Sequence, residues 1–552
     1  MSRAEIPASL LPSAGQGPPP TTTGVVRSTR VPVVEIYDTT LRDGSQQEGL
    51  SLTVEDKLRV AAQLDELGVA YIEGGWPGAN PKDDEFFARA PAELRLTTAT
   101  LVAFGSTRRP GGRAEGDETL RHLLRAQTSA VCIVAKAWDR HVTQALRTDL
   151  DEAVAMAADS VRFLRDAGRR VFLDAEHFFD GWKANREFSL RVLAAAEEAG
   201  AEALVLCDTN GGTLPHEVEE IVTDVRGRTS AQIGLHFHND GGCGVANTLT
   251  GVRMGATQVQ GCVNGYGERT GNADLCAAIP DLTLKMGVET IGRERLGRLA
   301  PVARHIAELV NVAPNPQQPY VGQSAFATKA GLHTSAIARG RDLYSHADPA
   351  TVGNSSRVMV SELSGRSTIQ LKAAELSLDL DALAVTDILS RLKELEYQGY
   401  HFEVADGSLE LLMRNAAGWE QPYFRLESSR VITEQREDGR FVTEATIKIH
   451  VGGDRVVATA EGNGPVNALD AALRQAIGGH YPALAGVHLT DYKVRVLDTA
   501  KGTAAVTRVL IDSTDGERTW STIGVSENII EASWQALSDS IVYGLLHAGT
   551  QE

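Results

Sequence analysis

The sequence predicts an α/β protein: a (β/α)8 TIM barrel, followed by a helical subdomain and a C-terminal regulatory domain of duplicated βββα units. Three observations lead to this prediction. Eight short β-like runs alternate with amphipathic stretches over residues 31–290. Polar side chains collect where several of those runs end. Near the C-terminus, a strand-and-helix pattern occurs twice, about 63 residues apart.

The β-like runs have the number and spacing expected of a barrel. Between two of them, "TVEDKLRVAAQLDELG" (53–68) predicts a helix with Thr53 as its N-cap and Gly68 as its C-cap. Eight strand-helix units within about 250 residues match a (β/α)8 barrel. A doubly wound open sheet is the competing fold, but its GxGxxG fingerprint does not follow the first run. The runs are 33–44, 70–75, 95–105, 130–138, 170–178, 203–212, 233–240 and 257–268.

The rest of the chain divides by composition into three parts. Residues 1–30 are rich in Pro, Ser, Thr and Gly, which predicts a disordered leader. Residues 291–415 have mainly helical patterns, and we expect a helical linker subdomain there. Residues 416–552 contain the duplicated pattern, in which 453–477 resembles 516–541. Such a pseudosymmetric domain could bind a small effector where its halves join.

Composition excludes several classes of protein. The chain has 54 basic and 72 acidic residues, a net charge of −18, so we expect neither nucleic acid nor an anionic membrane as a partner. Its five cysteines are scattered without a CxxC pair, which favours reduced thiols over disulfides. No apolar run is long enough to span a bilayer, and no signal peptide is visible. These features predict a cytoplasmic location.

The motif "LHFHND" (235–240) contains the strongest candidate for a metal site. His236 and His238 are two residues apart on a predicted strand, so their side chains share one face. With Asp43, at the end of the first run, they supply two nitrogens and one oxygen for a divalent ion. The alternative is that both histidines fill the barrel core or bond to backbone carbonyls. Active sites of such barrels lie at the carboxyl ends of the strands, which favours the metal site.

A cation held beside Arg42 suits an α-keto acid as substrate. The ion would take the keto oxygen and one carboxylate oxygen, while Arg42 and the hydroxyl of Thr209 would take the rest. Glu73 and Glu176 also lie near the ends of predicted strands. We therefore expect an enzyme site built from these polar strand ends.

Three motifs connect this chemistry to a known family. "YDTTLRDGSQQEG", "GLHFHNDGGCGVANTL" and "GYGERTGNADL" resemble the signatures of the DRE-TIM metallolyase superfamily. Within it they are similar to the Claisen-condensing branch, which contains the 2-isopropylmalate, homocitrate and citramalate synthases. The resemblance covers most of the chain after the leader. "YIEGGWPGANPKDDEFF" (71–87) resembles the long bacterial citramalate synthases, and differs from the shorter "EAGFP"-like stretch usual in 2-isopropylmalate synthases.

The resemblance implies roles for particular residues. Metal ligands would be Asp43, His236 and His238, with Asn272 as a fourth ligand or near neighbour. The keto acid would bind Arg42 and Thr209 with Gln46 beside it, and Glu73 would hold Arg42 in place. Catalysis would involve Arg42, a carboxylate at Glu176, and His333 and Tyr344, with His333 reaching into the neighbouring subunit's site. His141, His177 and His346 have no such support, and we interpret them as surface or structural residues.

The resemblance also implies the reaction and its regulation. Acetyl-CoA would condense with pyruvate and the thioester would then be hydrolysed, with Zn²⁺, Mn²⁺ or Mg²⁺ as cofactor. A homodimer and feedback inhibition by isoleucine at the C-terminal domain would follow. Trp76 is a candidate wall of the acceptor pocket, with simple packing as the alternative. The basic loop "STRRPGGR" (106–113) could contact CoA phosphates, but we favour a solvated loop.

Three other functions remain open from the sequence. A 2-isopropylmalate synthase would differ only in the size of its acceptor, 2-oxoisovalerate. A lyase of the 3-hydroxy-3-methylglutaryl-CoA type shares the barrel, but the effector-like C-terminal domain and the His333 segment argue against it. A non-catalytic amino-acid-sensing homologue would have lost metal binding, although Arg42, Asp43, His236 and His238 are all present.

Overall fold

The computed structural model describes residues 32–328 and 343–548. Eight parallel strands close into a barrel in sequence order, and β8 pairs with β1. This confirms the predicted α/β fold class. The strands are β1 Glu35–Asp38, β2 Tyr71–Gly75, β3 Thr100–Ser106, β4 Ala130–Lys136, β5 Arg170–Glu176, β6 Ala203–Asp208, β7 Gln232–Phe237 and β8 Gln258–Gly261. The predicted leader, residues 1–30, lies outside the described residues.

Helices follow the barrel strands and cover the outside of the sheet. Their apolar sides pack with the outward-facing strand residues into one large hydrophobic core. In that arrangement the carboxyl ends of all eight strands meet at one mouth. The helices are α1 Val54–Leu67, α2 Pro81–Glu93, α3 Glu118–Arg125, α4 Asp139–His141, α5 Leu150–Asp166, α6 Phe178–Ala199, α7 Pro215–Arg226, α8 Gly244–Arg253 and α9 Leu275–Pro280.

Local sequence signals set the ends of α1 as predicted. The Thr53 hydroxyl accepts a hydrogen bond from the Asp56 amide, and the Asp56 carboxylate accepts one from the Thr53 amide, which forms a capping box. Gly68 ends the helix with φ of 98°, a left-handed conformation in which glycine has no side-chain clash. These two signals fix where the chain turns back toward β2.

The segment after the barrel is divided between two hydrophobic cores. Helix α10, Leu299–Leu309, packs its apolar face into the barrel core. Two short parallel strands follow, β9 Ala327–Thr328 and β10 Arg357–Val358. The next helices instead pack around a core that includes Ile523 and Val525 of the C-terminal domain; they are α11 Arg366–Glu375, α12 Ala382–Gln398 and α13 Asp406–Ala416. The helical region thus joins the two larger parts of the chain.

The C-terminal domain contains the predicted duplication. Each unit is a three-stranded antiparallel sheet with one helix against it, and the two helices share a core with both sheets. The first unit is β11 Arg425–Gln435, β12 Phe441–Val451, β13 Asp454–Gly462 and α14 Pro465–Ile477. The second is β14 His488–Val496, β15 Thr507–Thr514, β16 Thr519–Ser526 and α15 Ile529–Ala548.

Within the described ranges, none of the helices combines the length and the apolar character that crossing a membrane requires.

Candidate active site

The polar strand ends converge on a cavity of about 450 Å³ at the mouth of the barrel. Its wall includes side chains from β5, β6 and β7, and from the loops after β1 and β3. Most of the residues predicted for the site line this cavity: Arg42, Asp43, Gln46, Glu176, Thr209, His236 and His238. The strand ends therefore meet as the sequence predicted.

Asp43, His236 and His238 place three potential ligand atoms at one point. Among the described residues they form one of two groups whose ligand atoms all lie within 4.8 Å of each other. The Nε2 atoms of the two histidines are 3.3 Å apart. Oδ2 of Asp43 lies 3.2 Å from Nε2 of His236 and 3.7 Å from Nε2 of His238. Two imidazole nitrogens and one carboxylate oxygen thus face the same small volume.

The electrostatics of this group suit a cation. Burial would raise the pKa of the Asp43 carboxyl, but the charge of Arg42 and the hydrogen bond with His236 outweigh burial and hold that pKa below its usual range. Burial, followed by the neighbouring His236, lowers the pKa of His238 to about 4. Asp43 therefore presents an ionised carboxylate and His238 a neutral imidazole, which are the forms that bind metals. At His236 burial lowers the pKa, but the hydrogen bond with Asp43 and the charges of Asp43 and Asp174 outweigh burial and raise it.

Asn272 lies beside this group with one polar atom unused. Its backbone forms an isolated bridge with His238, and its Nδ2 donates to the carbonyl of Tyr266 over 3.0 Å. Its Oδ1 is buried without a hydrogen-bond partner among the residues that the structure describes. An unpartnered buried carbonyl oxygen is a ready ligand or water acceptor.

Arg42 is held by contacts on three sides. Its Nε donates to Glu73 over 2.6 Å, and its Nη1 lies 3.5 Å from Oδ2 of Asp43. Its guanidinium carbon lies 3.9 Å from the ring centroid of Phe104, a cation–π contact. Glu73 is fully buried and also accepts a 2.6 Å hydrogen bond from Tyr37. These contacts fix the fork of Arg42 at the edge of the cavity.

Thr209 and Glu176 have contacts that decide what they can offer a substrate. The Thr209 hydroxyl oxygen accepts from the His177 amide over 3.0 Å, so its proton is free to be donated. Glu176 forms an ion pair with Lys136, which also lines the cavity. Trp76 lines the cavity too, with its ring edge-on to Phe104 at 5.3 Å.

Comparison with known protein families matches three consecutive regions of the chain. Residues 33–291 match the HMGL-like family model, which covers the barrel strands. Residues 320–399 match the homocitrate synthase post-HMGL domain-like model. Residues 403–545 match the LeuA allosteric (dimerisation) domain. The order agrees with the barrel, helical region and duplicated domain described above.

Relatives with similar sequences extend over nearly the whole chain. The (R)-citramalate synthase of Streptomyces coelicolor is 54% identical, over 93% of this chain and 97% of its own length. The chain belongs to the (R)-citramalate synthase family. The citramalate synthase of Geobacter sulfurreducens is 51% identical over 93% of this chain and 98% of its own length. By contrast, a probable 2-isopropylmalate synthase of Methanopyrus kandleri is 31% identical over 91% of this chain and 96% of its own length.

Two residues carry roles that were predicted by family resemblance alone. His333 lies outside the described residues. Tyr344 is 52% exposed and is not among the described residues that line the cavity. Their roles in this family member stay predictions.

Several structural contacts at the site were not predicted from the sequence. Lys136 ends β4 and pairs with Glu176, a contact that needs the register of β4 and β5. The preference for a wholly solvated basic loop was wrong for Arg108, which is 4% exposed and pairs with Glu152 and Asp159. His177 is likewise buried. The alternation "LDAE" (173–176) was the available signal for a second inward-facing carboxylate, Asp174, on β5.

Proposed function

We propose that the chain catalyses the condensation of acetyl-CoA with pyruvate, followed by thioester hydrolysis, to give (R)-citramalate and CoA. The observation that carries this proposal is the convergence of Asp43, His236 and His238 beside the fixed fork of Arg42. That arrangement matches the needs of an α-keto acid bound next to a cation. The name shared by the 45–54% identical relatives supports pyruvate as the acceptor.

The metal ligands in this proposal are Asp43, His236 and His238, with the Oδ1 of Asn272 nearby. The fit rests on the chemistry of the donors: two imidazoles, one ionised carboxylate and one unpartnered amide oxygen. When bound, a divalent ion such as Zn²⁺, Mn²⁺ or Mg²⁺ would polarise the acceptor's carbonyl. The three ligand atoms leave room for substrate oxygens, as a catalytic site needs.

Arg42 and Thr209 hold the acceptor's carboxylate in this proposal. Because Glu73 takes the Nε of Arg42, the Nη groups remain to bind carboxylate oxygens. The Thr209 hydroxyl donates its free proton to the same carboxylate. Trp76 and Phe104 form an aromatic wall that limits the acceptor's side chain to a small group. A methyl group, as in pyruvate, suits such a wall better than an isopropyl group.

Carbon–carbon bond formation requires a base for the acetyl methyl group. We assign that role to His333 of the neighbouring subunit, by family resemblance, with Tyr344 nearby. The proton leaves the methyl carbon, that carbon bonds to the keto carbon, and the keto oxygen becomes an alkoxide that Arg42 helps to stabilise. Water then attacks the thioester carbonyl and CoA leaves as its thiol. In this proposal Glu176, which pairs with Lys136, orients that water.

Regulation forms a further part of the proposal. The C-terminal domain matches the LeuA allosteric (dimerisation) domain, which supports a homodimer and a small effector. An enzyme at the start of the route from pyruvate to isoleucine would be inhibited by isoleucine, the end product of that route. We therefore propose isoleucine as the feedback inhibitor, and a cytoplasmic location for the pathway step.

The first experiment measures CoA release from acetyl-CoA with a thiol reagent. Pyruvate, 2-oxoisovalerate, 2-oxobutyrate and 2-oxoglutarate are offered in parallel, with and without EDTA, and with isoleucine or leucine added. We expect pyruvate to be preferred by at least about tenfold in kcat/KM, since a pocket discriminates by roughly 1–3 kcal/mol per methylene. Activity should disappear with EDTA and return with added metal.

Other outcomes would redirect the assignment. Preference for 2-oxoisovalerate would make the chain a 2-isopropylmalate synthase. No turnover of any acceptor, in a preparation that binds metal, would favour the lyase, which is tested by cleavage of a 3-hydroxyacyl-CoA. No turnover and no metal binding would favour the sensing homologue.

A further inference from the structure

A buried chain of hydrogen bonds leads away from His236 into the barrel interior. Nδ1 of His236 lies 2.9 Å from Oε1 of Gln260, its neighbour on β8. Nε2 of Gln260 donates to Oδ1 of Asp174 on β5 over 3.0 Å. The thiol of Cys132 on β4 donates to the same Oδ1 over 3.1 Å. Gln260, Asp174 and Cys132 are at most 3% exposed, so water does not replace these contacts.

The direction of these bonds determines which ring nitrogen of His236 carries the proton. The Cys132 thiol donates to Oδ1 of Asp174, so this oxygen is an acceptor whether or not Oδ2 is protonated. Gln260 must therefore turn its NH₂ group toward Asp174 and its carbonyl oxygen toward His236. An oxygen at that position accepts a hydrogen bond from His236 only if Nδ1 carries the proton. The lone pair of His236 is then left on Nε2, the atom that faces Asp43 and His238.

We propose that Gln260, oriented by Asp174, is the positioning residue that presets His236 as a metal ligand through Nε2. This inference rests on the proposed metal centre and deepens it. Partners of this kind fix the tautomer and ring orientation of a ligating histidine. Removing them usually costs about 10- to 100-fold in metal affinity.

Gln258 provides a matched control on the same strand. It lies two residues before Gln260, so both side chains point to the same side of β8. It is also fully buried. Neither its Oε1 nor its Nε2 has a hydrogen-bond partner within the described residues. Replacing either glutamine by leucine makes the same chemical change, but only the change at 260 removes an acceptor from His236.

The test measures the dissociation constant for Zn²⁺ by competition with a fluorescent chelator, and the visible absorption of the Co²⁺-loaded protein. The full-length wild type is compared with Gln260→Leu, Gln260→Glu, Asp174→Asn and Gln258→Leu. We expect about 10- to 100-fold weaker binding for Gln260→Leu and unchanged binding for Gln258→Leu. Gln260→Glu keeps an oxygen acceptor for Nδ1 and should stay within about threefold of wild type. Among these variants, only Gln260→Leu should change the Co²⁺ spectrum.

Asp174→Asn tests the orientation of Gln260 without deleting its side chain. An asparagine amide can face Gln260 with its oxygen or its nitrogen, so it no longer enforces one orientation. We expect binding to weaken about three- to tenfold, and this variant decides the question if Gln260→Leu does not fold. Equal affinity in Asp174→Asn, Gln258→Leu and wild type would overturn the inference. A wild type that binds no metal would instead overturn the proposed metal centre.

Discussion

The mouth of the barrel and the core of the C-terminal domain bury polar groups in different ways. At the mouth, buried charged side chains are paired with one another, as Arg42 is with Glu73 and Asp43 is with His236. In the C-terminal core, many of the buried contacts join hydroxyl groups, such as Ser513 with Ser540. A charge that loses its partner in the interior costs several kcal/mol, whereas a hydroxyl can rotate to another acceptor. We infer that the mouth is built for fixed geometry and that the C-terminal core tolerates repacking.

Removing a charged group from the mouth of the barrel should give the largest loss of activity. Asp43→Asn keeps the shape of the side chain but removes the anionic ligand from the proposed metal group. We expect kcat/KM to fall by more than about 1,000-fold, and the thermal unfolding midpoint to fall as well, because Arg42 and His236 lose a buried anionic partner. Steady-state CoA release measures kcat/KM, a thermal melt measures the midpoint, and metal content checks the loss of the ligand.

Asp151→Asn provides the control. This substitution removes the same charge, but from a side chain on the exposed surface of α5. It should retain wild-type activity. An Asp43→Asn protein with more than a tenth of wild-type activity would contradict the importance given to this group.

Replacing a charged group by one of the same sign but a different shape should lower activity by an intermediate amount. Arg42→Lys retains a cation but loses the planar fork that contacts Glu73 and faces the cavity. We expect kcat/KM for pyruvate to fall about 100-fold, mostly through KM. Initial-rate kinetics with pyruvate varied at saturating acetyl-CoA check this. A lysine variant within threefold of wild type would show that net charge alone suffices at the mouth.

The smallest effect is expected from a change in the C-terminal domain. There Asp539 is an ionisable side chain in a region where many of the buried contacts join hydroxyl groups. Burial raises the pKa of its carboxyl to about 6, although the Ser408 hydroxyl donates to it over 2.6 Å. The folded state therefore binds the proton more tightly than the unfolded chain, and stability falls as pH rises from about 4 to 6. Above pH 6 the ionised group destabilises the domain.

Asp539→Asn should remove this destabilisation, because the amide oxygen can still accept from Ser408. At pH 8 we expect slower hydrogen exchange in α15 than in wild type, and at pH 4 equal exchange. Asp470→Asn, a change at a side chain of α14 that is 28% exposed, should leave exchange in α15 unchanged at both pH values. Faster exchange in Asp539→Asn at pH 8 would mean that the ionised carboxylate stabilises this core.

The fold and the residues that face the cavity could be predicted from local sequence patterns. Periodicity gave the strands, and alternation placed His236 and His238 on one side, because each signal depends only on near neighbours in sequence. The contacts of Gln260 and Asp174 were not predicted, since they join strands separated by 86 residues. Arg108 was misjudged for the same reason: its partners, Glu152 and Asp159, lie on a later helix. Long-range partners decide which polar residues are buried.

The position of the histidines in the barrel has a consequence for how metal is gained and lost. His236 lies within β7, whose neighbours β6 and β8 bond to it on either side, and the His238 amide donates to the carbonyl of Asp208. The backbone thus holds the ligands in place before any ion arrives, unlike in small zinc domains that fold only around their metal. We expect stripping and reloading to proceed within an intact barrel, so that the ion found on the enzyme reflects what the surrounding solution supplies.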